Sequence, residues 1–301
     1  MRVAALDIGT NTVLLLVADR QADGSLLPVA ERATITRLGQ DVDRTHRLAS
    51  AAVERTRTCL ESYASSLHEL RAERVGVVGT SAMRDSEGGR ELRDYVRSLL
   101  GVDVRVLTGV EEARLTFRGA LSGLAMSTSR EVAVFDVGGG STEVVVGKFA
   151  AGEPIVSFAD SFDVGSVRLT ERHGEDWLAI RRATRNAFAS VPPLPSDRSP
   201  VGVAGTMTTL AAVSLGLTTY EGTRVHGHSM SVEELEKVVG RLASLDVESR
   251  RRVPGMEPGR ADVIVAGGFL AIALMSHWQA RAVEVSDRGV RWGLAEELAA
   301  S

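Results

Sequence analysis

The chain has 301 residues and a formal net charge of −4, enough length for one large domain or two ordinary ones around a proper apolar core. That charge argues against a nucleic-acid binder, whose affinity rests on concentrated positive charge, so an anionic ligand has to be met by local donors. A single cysteine, Cys59, excludes an intramolecular disulfide, and no Cys or His cluster has zinc spacing.

In chain order, β-rich apolar runs predict strands over 2–8, 13–19, 27–37, 74–79 and 103–107, with helices over 47–70, 88–100 and 110–125. A second set starts near Arg130, with strands over 131–136, 143–150 and 154–161 followed by helices over 164–172 and 175–190. Pro192-Pro193-Leu194-Pro195-Ser196 breaks the last of these and reads as a loop. Beyond it come a strand over 200–204, helices over 206–215, 231–244 and 260–277, a strand over 281–285 and a terminal helix from 288. The order is α/β in both halves, which divides the chain into lobes of 1–126 and 127–301. The longest apolar run, Val263 to Met275, is too short for a bilayer and reads as a buried helix; Asp7 interrupts the apolar start, so no signal-peptide core is expected. A cytoplasmic protein without a membrane partner is the expectation.

The halves share a repeat. Ala4-Ala5-Leu6-Asp7-Ile8-Gly9-Thr10-Asn11-Thr12 matches Val134-Phe135-Asp136-Val137-Gly138-Gly139-Gly140-Ser141-Thr142, each an apolar run ending in an aspartate, a turn of small residues and a second β-rich run. Small residues let successive backbone N–H groups converge on an anion, so both turns are candidate phosphate cradles, although a lone glycine-rich turn needs no ligand to explain it. Asp136 closes one strand and Glu143 opens the next, bringing two hard oxygen donors to one end of a sheet, where they suit Mg²⁺. The position matching Glu143 in the first repeat is Leu14, so the hairpin itself does not require the acid.

Thr108-Gly109-Val110-Glu111-Glu112 starts a helix with two acids in its first turn. Helix-dipole stabilisation accounts for such acids, while a phosphoanhydride hydrolase needs one as a base for its water; the residues alone do not choose between Glu111 and Glu112. Thr80-Ser81-Ala82-Met83-Arg84 and Gly205-Thr206 follow strands and are further phosphate-facing turns. His226-Gly227-His228 lacks an acidic or cysteine partner nearby and reads as polar loop. The Walker A and dinucleotide-binding glycine patterns are absent, as is a nucleophile elbow.

Taken in order, Asp7 to Thr12, Thr80 to Arg84, Gly109 to Ala113, Asp136 to Glu143, Gly205-Thr206 and Ser286-Asp287-Arg288-Gly289 resemble the exopolyphosphatase and guanosine pentaphosphate phosphohydrolase family. The resemblance spans almost the whole chain. It implies two actin-like, ribonuclease H-like α/β lobes with a cleft between them, the terminal helix of about 288–301 packing back on the first. It further implies Glu112 as general base, Asp136 and Glu143 as catalytic carboxylates that hold Mg²⁺ (Mn²⁺ as a substitute), and Asp7 reaching the metal through water. Phosphate contacts are expected from Gly9, Thr10, Asn11, Thr12, Arg84, Gly138, Gly139, Gly140, Ser141, Thr142, Gly205 and Thr206. Polyphosphate or guanosine pentaphosphate is the implied substrate, with homodimerisation left open. Longer relatives carry a further C-terminal helical region, so short polyphosphates are the expected preference. A non-enzymatic polyphosphate or alarmone sensor, and a nucleotide-dependent kinase on the same scaffold, are the alternatives.

Overall fold

Two mixed sheets organise the chain in the computed structural model, which describes residues 1–124, 130–150, 153–194 and 199–300. The contacts divide it into two units, Met1–Leu115 with Val290–Ser301, and Thr116–Gly289. The division falls inside a helix, ahead of the 126/127 boundary expected from sequence, which lies outside the described residues.

The first unit opens with the antiparallel strands β1 (Arg2–Ile8), β2 (Thr12–Arg20) and β3 (Leu26–Ile35). Helices α1 (Val42–Thr45) and α2 (Ser50–Glu69) lead to β4 (Arg74–Gly79), then α3 (Ser81–Arg84) and α4 (Gly89–Leu100) to β5 (Val104–Val106), and α5 (Gly109–Leu121) follows. The sheet order is β3-β2-β1-β4-β5, β4 running parallel to β1 and β5 parallel to β4. β1 is apolar almost throughout because both its faces are covered. Ala4, Leu6 and Ile8 join a core with Leu60 and Leu92 of α2 and α4, whereas Val3 and Ala5 face Trp292, Leu294 and Ala295.

The second unit repeats the plan. β6 (Val132–Val137), β7 (Thr142–Ala150) and β8 (Glu153–Phe162) are antiparallel, and α6 (Ser166–His173) and α7 (Trp177–Thr184) lead to β9 (Val201–Val203), parallel to β6. Next come α8 (Ala204–Ser214), α9 (Gly222–Val225), β10 (His228–Ser231), α10 (Val232–Ala243), α11 (Val247–Arg251), a 3₁₀ turn at Pro258–Arg260, α12 (Ile264–Trp278) and β11 (Ala282–Val285). The last helix, α13 (Val290–Ala300), belongs to the first unit, where it supplies Trp292 and its neighbours. Read from its other edge, the second sheet runs β8-β7-β6-β9-β11-β10: its first five strands reproduce the order of the first sheet, and β10 is an antiparallel addition.

The elements differ from expectation where local pattern is weak. β10 was unexpected, its four residues being too few and too polar to show alternation. The helix expected over 260–277 begins at Ile264, after the 3₁₀ turn, and that expected over 175–190 ends at Thr184. The expected end of α5 at residue 125, and Pro195-Ser196 of the proline loop, lie outside the described residues. Among the described residues, no helix is long and apolar enough to cross a membrane; α12, which contains most of the apolar run, is a core helix.

Candidate functional site

In the first unit the β1–β2 turn is closed by Gly9 N–H donating to Thr12 O at 3.1 Å. A Cβ at Gly9 would stand 2.9 Å from that carbonyl, so the turn excludes a side chain. Asn11 O accepts from the N–H groups of Thr36 and Arg37 at 3.0 Å each, Thr10 O accepts from Gly39 N–H at 2.8 Å, and the hydroxyls of Thr10 and Ser81 are 2.7 Å apart. Asp7, Thr10, Asn11 and Thr12 are all buried. The Asn11 carboxamide has no hydrogen-bond partner among the described residues although both its polar atoms are buried, an arrangement that suits a ligand oxygen.

The two acids of α5 separate cleanly. Thr108 donates to Glu111 Oε2 from its backbone N–H (2.9 Å) and its hydroxyl (2.8 Å), and Glu111 N–H returns a 3.3 Å bond to Thr108 Oγ1. This is a capping box; the two bonds from Thr108, backbone first, hold the Glu111 carboxyl below the usual carboxylate range. Glu112 is buried instead, its Oε2 4.0 Å from Nη1 of Arg84. The guanidinium is fixed in turn by Leu107 O at 3.0 Å and by Asp85 Oδ1, 3.0 Å from Nε.

In the second unit the β6–β7 turn has the same closure, Gly138 N–H donating to Ser141 O at 3.0 Å. It is backed by the start of α6: Ser166 N–H donates to Gly138 O, and the N–H groups of Val167 and Arg168 to Gly139 O. A Cβ on Gly165 would fall 2.3 Å from Gly139 O and 2.6 Å from the Gly140 carbonyl carbon, so backbone lies directly on backbone. Thr142 Oγ1 donates to Val164 O at 2.6 Å and Thr206 Oγ1 to Val137 O at 2.7 Å; both hydroxyls brace the turn. Beside Thr206, Ala204 has a left-handed backbone (φ 58°), and the Arg260 guanidinium fills the space that a Cβ on Gly205 would take.

The carboxylates follow from register. Asp136 on β6 stands directly opposite Glu143 on β7, and Glu143 opposite Ser161 on β8, whose hydroxyl donates to Glu143 Oε1 at 2.8 Å. Cross-strand partners have Cβ atoms about 4.5–5.5 Å apart, so the two carboxylates share one face of the sheet. Asp136 is 9% exposed and Glu143 1%. Among the described residues no three His, Cys, Asp or Glu side chains form a metal cluster. Two adjacent hard-oxygen donors nevertheless fit Mg²⁺, which takes one or two carboxylates, keeps several waters and completes its shell with phosphate oxygens.

The structure thus gathers Asp7, Gly9 to Thr12, Arg84 and Glu112 in the first unit, and Asp136 to Glu143, Gly205 and Thr206 in the second. Sequence reasoning missed Ser161 as a neighbour of Glu143, since it has no local motif and only strand register reveals it, whereas Ser81 lies in the turn already singled out by sequence. The polar-loop reading of His226 also changes: Nδ1 lies 3.2 Å from Asp287 Oδ1 and 3.3 Å from Ser286 Oγ, and His228 opens β10.

These two hairpins, with their aspartates and glycine turns on a repeated strand order, define a two-lobed protein of the actin-like fold. The Ppx/GppA phosphatase family matches residues 16–301, and the chain belongs to that family. It is 39% identical to exopolyphosphatase 2 of Mycobacterium tuberculosis over 321 aligned positions, which cover 99% of this chain and 98% of that protein. The guanosine-5'-triphosphate,3'-diphosphate pyrophosphatase of Vibrio atlanticus is 26% identical over 98% of this chain and 59% of its own length. Among solved structures, the Aquifex aeolicus Ppx/GppA enzyme superposes with a TM-score of 0.82 at 32% identity, covering 99% of each chain. Enzymes of the family are phosphatases that generally use divalent metal ions.

Proposed function

We propose that this protein hydrolyses the terminal phosphoanhydride of inorganic polyphosphate, releasing orthophosphate, and acts on guanosine pentaphosphate with the same residues. The carrying observation is the separation of the α5 acids: the capping box occupies Glu111, whereas Glu112 is buried beside Arg84. Glu112 accepts the proton of the attacking water as its oxygen bonds to the terminal phosphorus. The bridging P–O bond breaks in line, and the shortened chain leaves with that oxygen and its electron pair. Arg84 both holds Glu112 and offers positive charge to the substrate. Backbone N–H groups of the Gly9–Thr12 and Gly138–Thr142 turns, with the Asn11 carboxamide, bind the phosphates without reorganising, because each turn is braced from behind. Asp136 and Glu143 would hold Mg²⁺; when bound, it offsets charge on the phosphoryl oxygens. Mn²⁺ would serve in its place.

The test is magnesium-dependent phosphate release from purified protein given short polyphosphate, long polyphosphate, guanosine pentaphosphate and ATP in parallel. Release from a polyphosphate, lost in Glu112→Gln, supports the reading, and the relative rates rank the substrates. Tight binding of a polyphosphate with no release from any of the four would refute hydrolysis.

A further inference from the structure

Across three neighbouring strands of the second unit the register sets Asp136, Glu143 and Ser161 in one row. The first unit contains the same row at the same height of its own hairpin: Asp7 opposite Leu14, and Leu14 opposite Ala33. The repeat therefore supplies its own comparison. Where the middle position is apolar, the outer one is alanine; where it is a buried carboxylate, the outer one is a serine whose hydroxyl donates to that carboxylate at 2.8 Å. A long glutamate side chain has several rotatable bonds, and a fixed donor on one oxygen sets both the rotamer and the plane of the carboxylate. Ser161 is itself well placed for this: it lies in a regular antiparallel ladder, and its backbone N–H is held by Asp160 Oδ1 at 2.9 Å.

We propose that Ser161 is a positioning residue for Glu143, holding its carboxylate in the orientation that receives the divalent cation. The proposal rests on the metal-dependent reading given above. Groups behind a metal ligand change metal affinity by about 10- to 100-fold when removed, and a serine hydroxyl on a single oxygen belongs at the lower end of that range.

The experiment is Mn²⁺ binding to the purified full chain, followed by electron paramagnetic resonance of the unbound ion, for the wild type, Ser161→Ala, Ser161→Thr and Glu143→Gln. Thermal melts are run alongside. Expected are roughly tenfold weaker binding by Ser161→Ala, binding within about twofold of wild type by Ser161→Thr, which keeps the hydroxyl, and the largest loss in Glu143→Gln. Wild-type affinity in Ser161→Ala, with binding weakened in Glu143→Gln, overturns the role of Ser161 alone, as does a lowered melting temperature with unchanged affinity. Unchanged affinity in Glu143→Gln, or no Mn²⁺ binding by the wild type, overturns the metal reading and the role of Ser161 with it. Should Ser161→Ala fail to fold, Ser161→Cys, close in size and only a weak donor, takes its place with the same expectations.

Discussion

The two adjacent acids of α5 should respond to substitution in opposite ways. Glu112→Gln keeps the size of a buried side chain and removes its basicity. A positioned general base contributes about 10²- to 10⁴-fold to rate, so turnover should fall by that factor, a barrier increase of about 3–5 kcal/mol, with KM and melting temperature little changed. Glu111→Ala instead removes the acceptor of two hydrogen bonds from Thr108. Loss of a helix cap costs about 1 kcal/mol, about 2–4 °C in melting temperature for a unit of this size, and turnover should stay within about twofold. The pH dependence has a definite sign. Because the folded state lowers the Glu111 pKa, its contribution is fully present above the unfolded-state value of about 4.3 and disappears as pH falls through the lower folded-state value. The melting difference between wild type and Glu111→Ala should therefore persist at neutral pH and close in acid. Initial rates of phosphate release and thermal melts decide the matter. Equal loss of turnover in the two variants, or a destabilised Glu112→Gln that retains full turnover, would refute the division of roles.

Gly165→Ala places a Cβ against Gly139 O, so the Gly138–Ser141 turn must shift by a few tenths of an ångström or more; phosphate release should fall by up to about 10²-fold while the far-UV circular dichroism is kept. Ala204→Gly relieves a left-handed backbone that costs an L-residue about 1–2 kcal/mol, and the melting temperature should rise by about 2–4 °C. Gly293→Ala on α13 would bring a Cβ to 2.2 Å from Leu115 O. Overpacking of this kind costs about 1–3 kcal/mol, to be read as a lowered urea midpoint with an unchanged slope.

The hairpins were legible because their evidence is local. An apolar run, an aspartate and a turn of small residues lie within nine positions, and the same pattern occurs twice. What sequence could not supply is pairing between distant positions. Glu111 and Glu112 look alike as letters, and only the bond back to Thr108 separates them. Ser161 lies 18 residues from Glu143 in an undistinguished strand, and β-register alone makes them neighbours. His226 had no acidic partner within reach of local inspection because Asp287 arrives through the pairing of β10 with β11. The blurred edges of α12 have a different cause: a helix buried nearly all round carries no amphipathic period by which to place its start.

The assignment of α13 to the first unit also bears on the order in which the molecule can be completed during synthesis. The ribosome delivers Val290–Ala300 only after the whole of Thr116–Gly289, yet Trp292, Leu294 and Ala295 cover the face of the first sheet formed by Val3, Ala5 and Leu16. The unit translated first is thus finished after the unit translated second, whose residues are contiguous and can fold as soon as they emerge. Until then an apolar sheet face waits for its cover, making the nascent first lobe a natural client for a chaperone. Mutations that weaken α13 should accordingly lower the yield of soluble protein more than they lower the stability of the molecules that do fold.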